Sequence, residues 1–327
     1  MKKCLAVFIF ILFFTVNIFA AKVDRKEVYI ALQWQPQAEF AGYYIAQELG
    51  YYKKYDFDVK FIHEKDNIKI TKLIESGKTE FAVLSLVSAI IWNEDGLGIV
   101  NIAQMQQKSD LSYVAKSDSG ILKPSDINDK RVALYESEYK SLQKAFLNKH
   151  SIQAILIPVI SGINLFLHGG VDLVPVKKYN EYHTLLNSGL NPDELVLFHL
   201  EEYGLDIPGA GIYCKKSFYE QNSSICKQFV EATIKGWQFA FKNPDKAVKI
   251  VNKRMHENNI KTNFVHQKWM LDRMEKIMLP DQNDVINTGL SMSGFNLTSE
   301  ILKEDEIIKT IPKFNDFYMP AVEDVKK

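Results

Sequence analysis

Six aromatic side chains crowd the stretch Leu32–Tyr52: Trp34, Phe40, Tyr43, Tyr44, Tyr51 and Tyr52. The same stretch has no histidine, cysteine or serine, so it is poor in groups that break bonds and rich in groups that stack. A rigid ring laid on a planar heterocycle offers a large contact at low entropic cost. Trp34 stands at the end of an expected strand just before Pro36, where a side chain can enter a cleft; the alternative is a packed core tryptophan. Tyr43 and Tyr44 are neighbours on an expected helix, so only one should face the core. Tyr44 falls on the apolar stripe with Ala41 and Leu49, which leaves Tyr43 as the site candidate beside Trp34, Gln37 and Phe40. Gly42 reads as a helix-packing glycine, and the Trp237, Phe239 and Phe241 region as core.

Polar contacts to such a ligand should be few and should sit at helix starts. Ser85 and Ser88 follow the strand Phe81–Leu84, although a serine there also serves as an N-cap. Glu136 follows the strand Arg131–Tyr135 and is otherwise a solvated loop carboxylate. Asn180 and Glu181 open a helix, where Glu181 either accepts from a ring N–H, worth about 1.5–3 kcal/mol, or caps the helix for about 0.3–1 kcal/mol. The backbone of Asp206–Gly211, Gly209 included, is expected to line a hinge.

Catalytic constellations are missing. The seven histidines are scattered with no i, i+4 pair, and neither a G-x-G-x-x-G nor a Walker pattern occurs. Neither a catalytic set, a metal site nor a cofactor is expected. Charge is balanced at 40 basic and 40 acidic residues, which gives no basic patch for nucleic acid.

The elements that must position these residues alternate. Strands are expected over 28–34, 57–62, 81–84 and 98–104, with helices over 38–49, 68–76 and 86–92 between them, and this order argues for a parallel α/β sheet. A second, smaller α/β unit follows a crossover strand at 113–116, with strands over 131–135, 154–159 and 171–175 and helices over 141–149, 162–168 and 181–188. Long helices are expected over 224–243, 244–258 and 265–278. The expected organisation is a signal peptide over 1–20, one lobe from 27–115 plus 207–327, and a second lobe from 116–206, with the ligand between them. Lys2 and Lys3, the apolar run Leu5–Phe19 and Ala20-Ala21 make the secretory signal. Cys4 precedes the apolar run, which does not fit a lipoprotein, and a periplasmic location follows. Cys214 and Cys226 would be free to pair in an oxidising compartment; the sequence leaves this open.

Leu32-Gln-Trp-Gln-Pro36, Phe40-Ala-Gly-Tyr-Tyr44 and Gly50-Tyr-Tyr52 resemble the first block of the NMT1/THI5-like (SsuA/THI5-like) family. Later blocks are Gly77–Val83, Ile102–Gln107, Asn180-Glu181, Tyr203–Asp206 and Gly236-Trp237 with Asn243-Pro244. The resemblance implies a type II periplasmic binding fold of two α/β lobes that close on a small planar ligand. It implies an ABC permease in the inner membrane as partner, a monomer, and a thiamine pyrimidine precursor as the first ligand to test, with flavins and sulfonates as alternatives. A sensor subunit is the second functional reading. The family's thiamine pyrimidine synthases are a third, and the chain departs from them twice. Phe40 stands where their motif has a histidine, and their cysteine-rich block has no counterpart.

Overall fold

A computed structural model describes residues 26–64, 68–280 and 285–323; the expected signal peptide lies outside them. Among the described residues ten strands form two five-stranded sheets. The first holds β1 (Lys26–Leu32), β2 (Phe57–His63), β3 (Phe81–Ser85), β4 (Ile99–Gln104) and β10 (Ala210–Lys215), in the order β2-β1-β3-β10-β4. The second holds β5 (Leu111–Lys116), β6 (Arg131–Tyr135), β7 (Ile155–Val159), β8 (Leu173–Lys177) and β9 (Leu195–His199), in the order β7-β6-β8-β5-β9.

The all-parallel expectation is corrected. β1 runs parallel to β2 and β3, but β10 enters between β3 and β4 antiparallel to both. Likewise β6 is parallel to β7 and β8, whereas β5 is antiparallel to β8 and β9. The returning strands are the cause, since each sheet receives one strand by a connection running the opposite way. β5 pairs on both sides within the second sheet, so the chain leaves the first sheet before Leu111 and not near residue 115.

Two segments cross between the sheets, 105–110 and 200–209, and glutamines tie them together. Gly209 N–H donates to the Gln106 carbonyl at 3.0 Å, and Gln106 Oε1 accepts from Ala210 N–H at 3.1 Å. Gln104 Nε2 donates to the carbonyls of Gly209 and Gln106, both at 3.0 Å. An amide side chain donates and accepts at once, so it satisfies backbone groups that no ladder reaches. Gly209 must lack a side chain, because a Cβ there would strike Gln106.

The first aromatic-rich helix, Ala41–Glu48, is covered on both sides. It packs on the first sheet and against the long helix Lys216–Lys242, and every residue from Ala41 to Ala46 is buried. Two glycines permit this contact: a Cβ on Gly236 would collide with the Gly42 carbonyl, and one on Gly42 with the Trp237 ring. The helix ends at Gly50, whose φ of +72° suits glycine. Strand β10 and the helix Met292–Glu304 carry no counterpart in the sequence reading. Cys214 and Cys226 are buried free thiols; a hydrogen bond to Cys226, and burial, push the Cys214 thiol up. Among the described residues no helix is long and apolar enough to cross a membrane.

Candidate functional site

A cavity of about 190 Å³ opens between the two sheets. Its walls come from the chain just beyond the C-terminal ends of β1, β2, β3, β6, β7 and β8, where parallel strands leave backbone groups and helix starts facing a crevice. Trp34, Phe40, Tyr135, Tyr139 and Tyr179 supply its rings.

Of the candidates named from sequence, Trp34, Gln37, Phe40, Ser85, Asn180 and Glu181 line this cavity. Trp34 is 48% exposed, and its φ is +125°, on the side that glycine favours. A tryptophan held there costs about 1–3 kcal/mol and persists only where its surroundings over-determine it. Gln33 is fixed just before it: Nε2 donates to the Ser88 hydroxyl at 2.8 Å, and Oε1 accepts from Ser85 N–H at 2.9 Å. Gln37 donates to Glu39 at 2.7 Å, and so orients that carboxylate.

Four candidates do not line the cavity. Tyr43 is 1% exposed and packs edge-on against Trp237 at 6.0 Å, because the helix Ala41–Glu48 is sandwiched and both tyrosines are core. Ser88 lies beneath the surface, accepting from Gln33 and donating its N–H to the N-cap oxygen of Ser85. Glu136 points outward and pairs with Lys140 at 2.7 Å, while Tyr135 and Ser137 beside it face the cleft. Gly209 belongs to the crossing segment 200–209 and borders only a smaller neighbouring void.

Glu181 combines both of its readings. It lines the cavity, yet one carboxylate oxygen accepts Lys177 N–H at 2.9 Å and the other accepts from Asn180 Nδ2 at 3.2 Å. Burial raises its pKa, against the opposing pull of the Lys177 N–H and charge. Burial likewise raises that of Glu64, with Glu138 adding to it and Lys69 opposing.

Lys177 has no counterpart in the sequence reading, since β8 was expected to end at Pro175. Its Nζ sits 4.5 Å from the Tyr139 ring centroid and 5.4 Å from that of Tyr179. Burial alone would push its pKa down. The Tyr139 and Tyr179 hydroxyls and the Glu39 and Glu138 carboxylates outweigh that and hold the ammonium well above the ordinary lysine value. Four carboxylates, those of Glu39, Glu64, Glu138 and Glu181, therefore share the cavity wall with one ammonium. Such a wall welcomes N–H donors and cationic rings and disfavours anions. Gln33, Glu39, Tyr135, Tyr139 and Tyr179 were also missed. Their signal was available: Tyr135 ends a strand and the others come shortly after one, the same rule that selected Trp34 and Ser85.

A family profile described as NMT1/THI5 like matches residues 37–247. The chain belongs to the NMT1/THI5-like family. Its relatives include the riboflavin-binding protein RibY of Chloroflexus aurantiacus, 23% identical over 236 residues that span 69% of this chain and 66% of RibY. The formylaminopyrimidine-binding protein of Halalkalibacterium halodurans is 22% identical over 246 residues, 72% of each chain. The 4-amino-5-hydroxymethyl-2-methylpyrimidine phosphate synthase THI11 of Saccharomyces cerevisiae is 22% identical over 129 residues, 39% of this chain and 38% of that one. The chain thus spans just under two thirds of RibY and well under half of the synthase. Among solved structures, the periplasmic aliphatic sulphonate binding protein SsuA of Escherichia coli superposes with a TM-score of 0.69 at 10% identity, covering 92% of this chain and 94% of SsuA. The fold is therefore that of the periplasmic binding proteins. Both binding proteins and synthases occur among the NMT1/THI5-like relatives.

Proposed function

We propose that this NMT1/THI5-like protein is an extracytoplasmic substrate-binding protein that captures a small planar heterocycle, a thiamine-type aminopyrimidine, and delivers it to the permease of an ABC importer. The observation that carries this reading is the cavity itself, five aromatic rings combined with a predominantly acidic wall. The rings, with the strained and half-exposed Trp34 foremost, stack on a flat ligand. The carboxylates accept from its amino group and ring N–H.

Size favours a single ring. An apolar cavity of about 150 Å³ holds benzene, so 190 Å³ suits a substituted monocycle, whereas a tricyclic flavin would require the lobes to part further. The acidic wall argues against the sulfonates that the SsuA fold accommodates elsewhere. Binding without conversion is supported by Gln33, Gln37, Glu39, Tyr179, Asn180 and Glu181, whose polar groups are engaged in hydrogen bonds with protein neighbours, and by Phe40 in the position where the synthases carry a histidine. Closure of the two lobes would add contacts from both sheets to one ligand, and the closed face would be read by the permease.

The test is a thermal-shift and native mass spectrometry panel of 4-amino-5-hydroxymethyl-2-methylpyrimidine, riboflavin and an alkanesulfonate. The pyrimidine should stabilise the protein by about 2.7 kcal/mol at a hundred times its Kd and be recovered unchanged. Stabilisation by the sulfonate alone, or recovery of a chemically altered pyrimidine, would sink the reading.

A further inference from the structure

We infer that His63 is a positioning residue that holds Trp34 in its binding conformation by donating a hydrogen bond to the Trp34 carbonyl. It rests on the stacking role proposed above for Trp34. His63 ends β2 directly beside the end of β1, in register with Leu32. It is 9% exposed, and its Nδ1 lies 2.8 Å from the Trp34 carbonyl oxygen. A carbonyl only accepts, so Nδ1 carries the proton. On the other side of the ring Nε2 lies 3.0 Å from the Tyr44 hydroxyl, and in the Nδ1–H tautomer that hydroxyl donates to it. The Trp34 carbonyl, which can only accept, sets that tautomer, and the Tyr44 hydroxyl, which can donate or accept, suits it.

The ring is also held in place by packing. It meets Phe40 edge-on at 5.7 Å and Tyr44 at 6.0 Å, so one imidazole braces two of the rings that begin the cleft, Trp34 through its backbone and Phe40 through its face. Gln33 is anchored on the other side of Trp34 by Ser85 and Ser88. With Gln33 fixed before it and its own carbonyl fixed after, Trp34 is left with the positive φ that turns its side chain toward solvent and the cavity. The aromatic stretch that looked like a stacking platform thus contains its own support: Tyr44 acts through His63 on Trp34.

The experiment needs no ligand. The protein is labelled with 5-fluorotryptophan, and the Trp34 resonance among its four tryptophans is assigned with Trp34→Phe. His63→Leu should shift or broaden the Trp34 line while the lines of Trp92, Trp237 and Trp269 stay put. His63→Asn, which keeps a side-chain N–H near the place of Nδ1, should restore it. Nitrogen NMR of the wild-type protein should show His63 protonated at Nδ1 and bare at Nε2, a measurement that stands even if His63→Leu does not fold. An unmoved Trp34 line in His63→Leu, movement of all four lines without recovery in His63→Asn, or a wild-type ring protonated at Nε2 alone would each overturn the proposal. A ligand still bound by Trp34→Ala would instead sink the stacking role and leave the His63 contact standing.

Discussion

The Tyr179 hydroxyl donates to the Glu39 carboxylate at 3.3 Å and so joins the end of β8 to the helix start after β1 across the cleft. Both ends of this bridge are set from behind. Gln37 holds the second oxygen of Glu39 at 2.7 Å, and the Tyr179 N–H donates to Asp110 at 2.8 Å. A contact between the two sheets contributes only while they are closed on each other. Tyr179→Phe keeps the ring and removes the bond. A net hydrogen bond of about 1 kcal/mol would make the variant bind the pyrimidine roughly fivefold more weakly by calorimetry, with little change in its urea midpoint. Unchanged affinity would deny the bridge a part in closure.

Trp34 offers the complementary case. Its ring is half-exposed, so Trp34→Ala removes little buried surface and should leave the thermal midpoint of the free protein nearly unchanged. The ligand-induced shift should disappear. If the variant is stabilised by the pyrimidine as well as the wild type is, Trp34 lies outside the recognition surface.

Gly236→Ala tests the contact between helices. The new methyl would drive into the Gly42 carbonyl, a backbone atom that cannot swing aside. Overpacking of this kind costs about 1–3 kcal/mol, and separation of the helices would also disturb Trp237 and Tyr43. Urea unfolding should show the loss; a variant as stable as wild type would mean that the helices can part without penalty.

Asp110 carries a pH dependence. Its side chain is 6% exposed, and burial pushes its pKa from 3.8 to about 6, with Arg273 at 3.7 Å and Lys178 opposing. The native state therefore holds this proton up to about pH 6, while the unfolded chain releases it near pH 3.8. Between those values the folded protein binds more protons, so this group's contribution to stability falls as pH rises from about 4 to about 6 and is flat on either side. At about 1.4 kcal/mol per unit the change approaches 3 kcal/mol. Asp110→Asn has no such proton. Denaturant unfolding at pH 4.5 and pH 7 should show wild type gaining stability relative to the variant on acidification, and a constant difference would refute the assignment.

The local elements were largely readable because they follow from periodicity and stop signals. β1 ends two residues earlier than expected, and the helix after it begins with a single 3-10 turn, Ala38–Phe40, before Ala41. β8 was expected over 171–175, two residues early, whereas Pro175 sits within the strand opposite Tyr113. That displacement hid Lys177 and Tyr179. Tyr43 was misplaced for another reason. A helix with one buried face can have only one of two adjacent tyrosines in the core, but this helix is buried on two faces; Gly42 announced a close helix contact, yet nothing in the helix says which segment, some 190 positions later, makes it.

By itself the sequence determined the family, the two α/β units and the aromatic character of the strand-end turns, because these depend on residue type and short spacing. It also marked Trp34, Phe40 and Glu181 as edge residues. Only the tertiary structure decided that β5 and β10 would run antiparallel, that Tyr43 would be core and Tyr179 would meet Glu39, and that His63 would reach the Trp34 carbonyl. Those outcomes depend on which distant segments come together in space, and a hydrogen bond between residues 29 or 140 positions apart leaves no periodic trace in the chain.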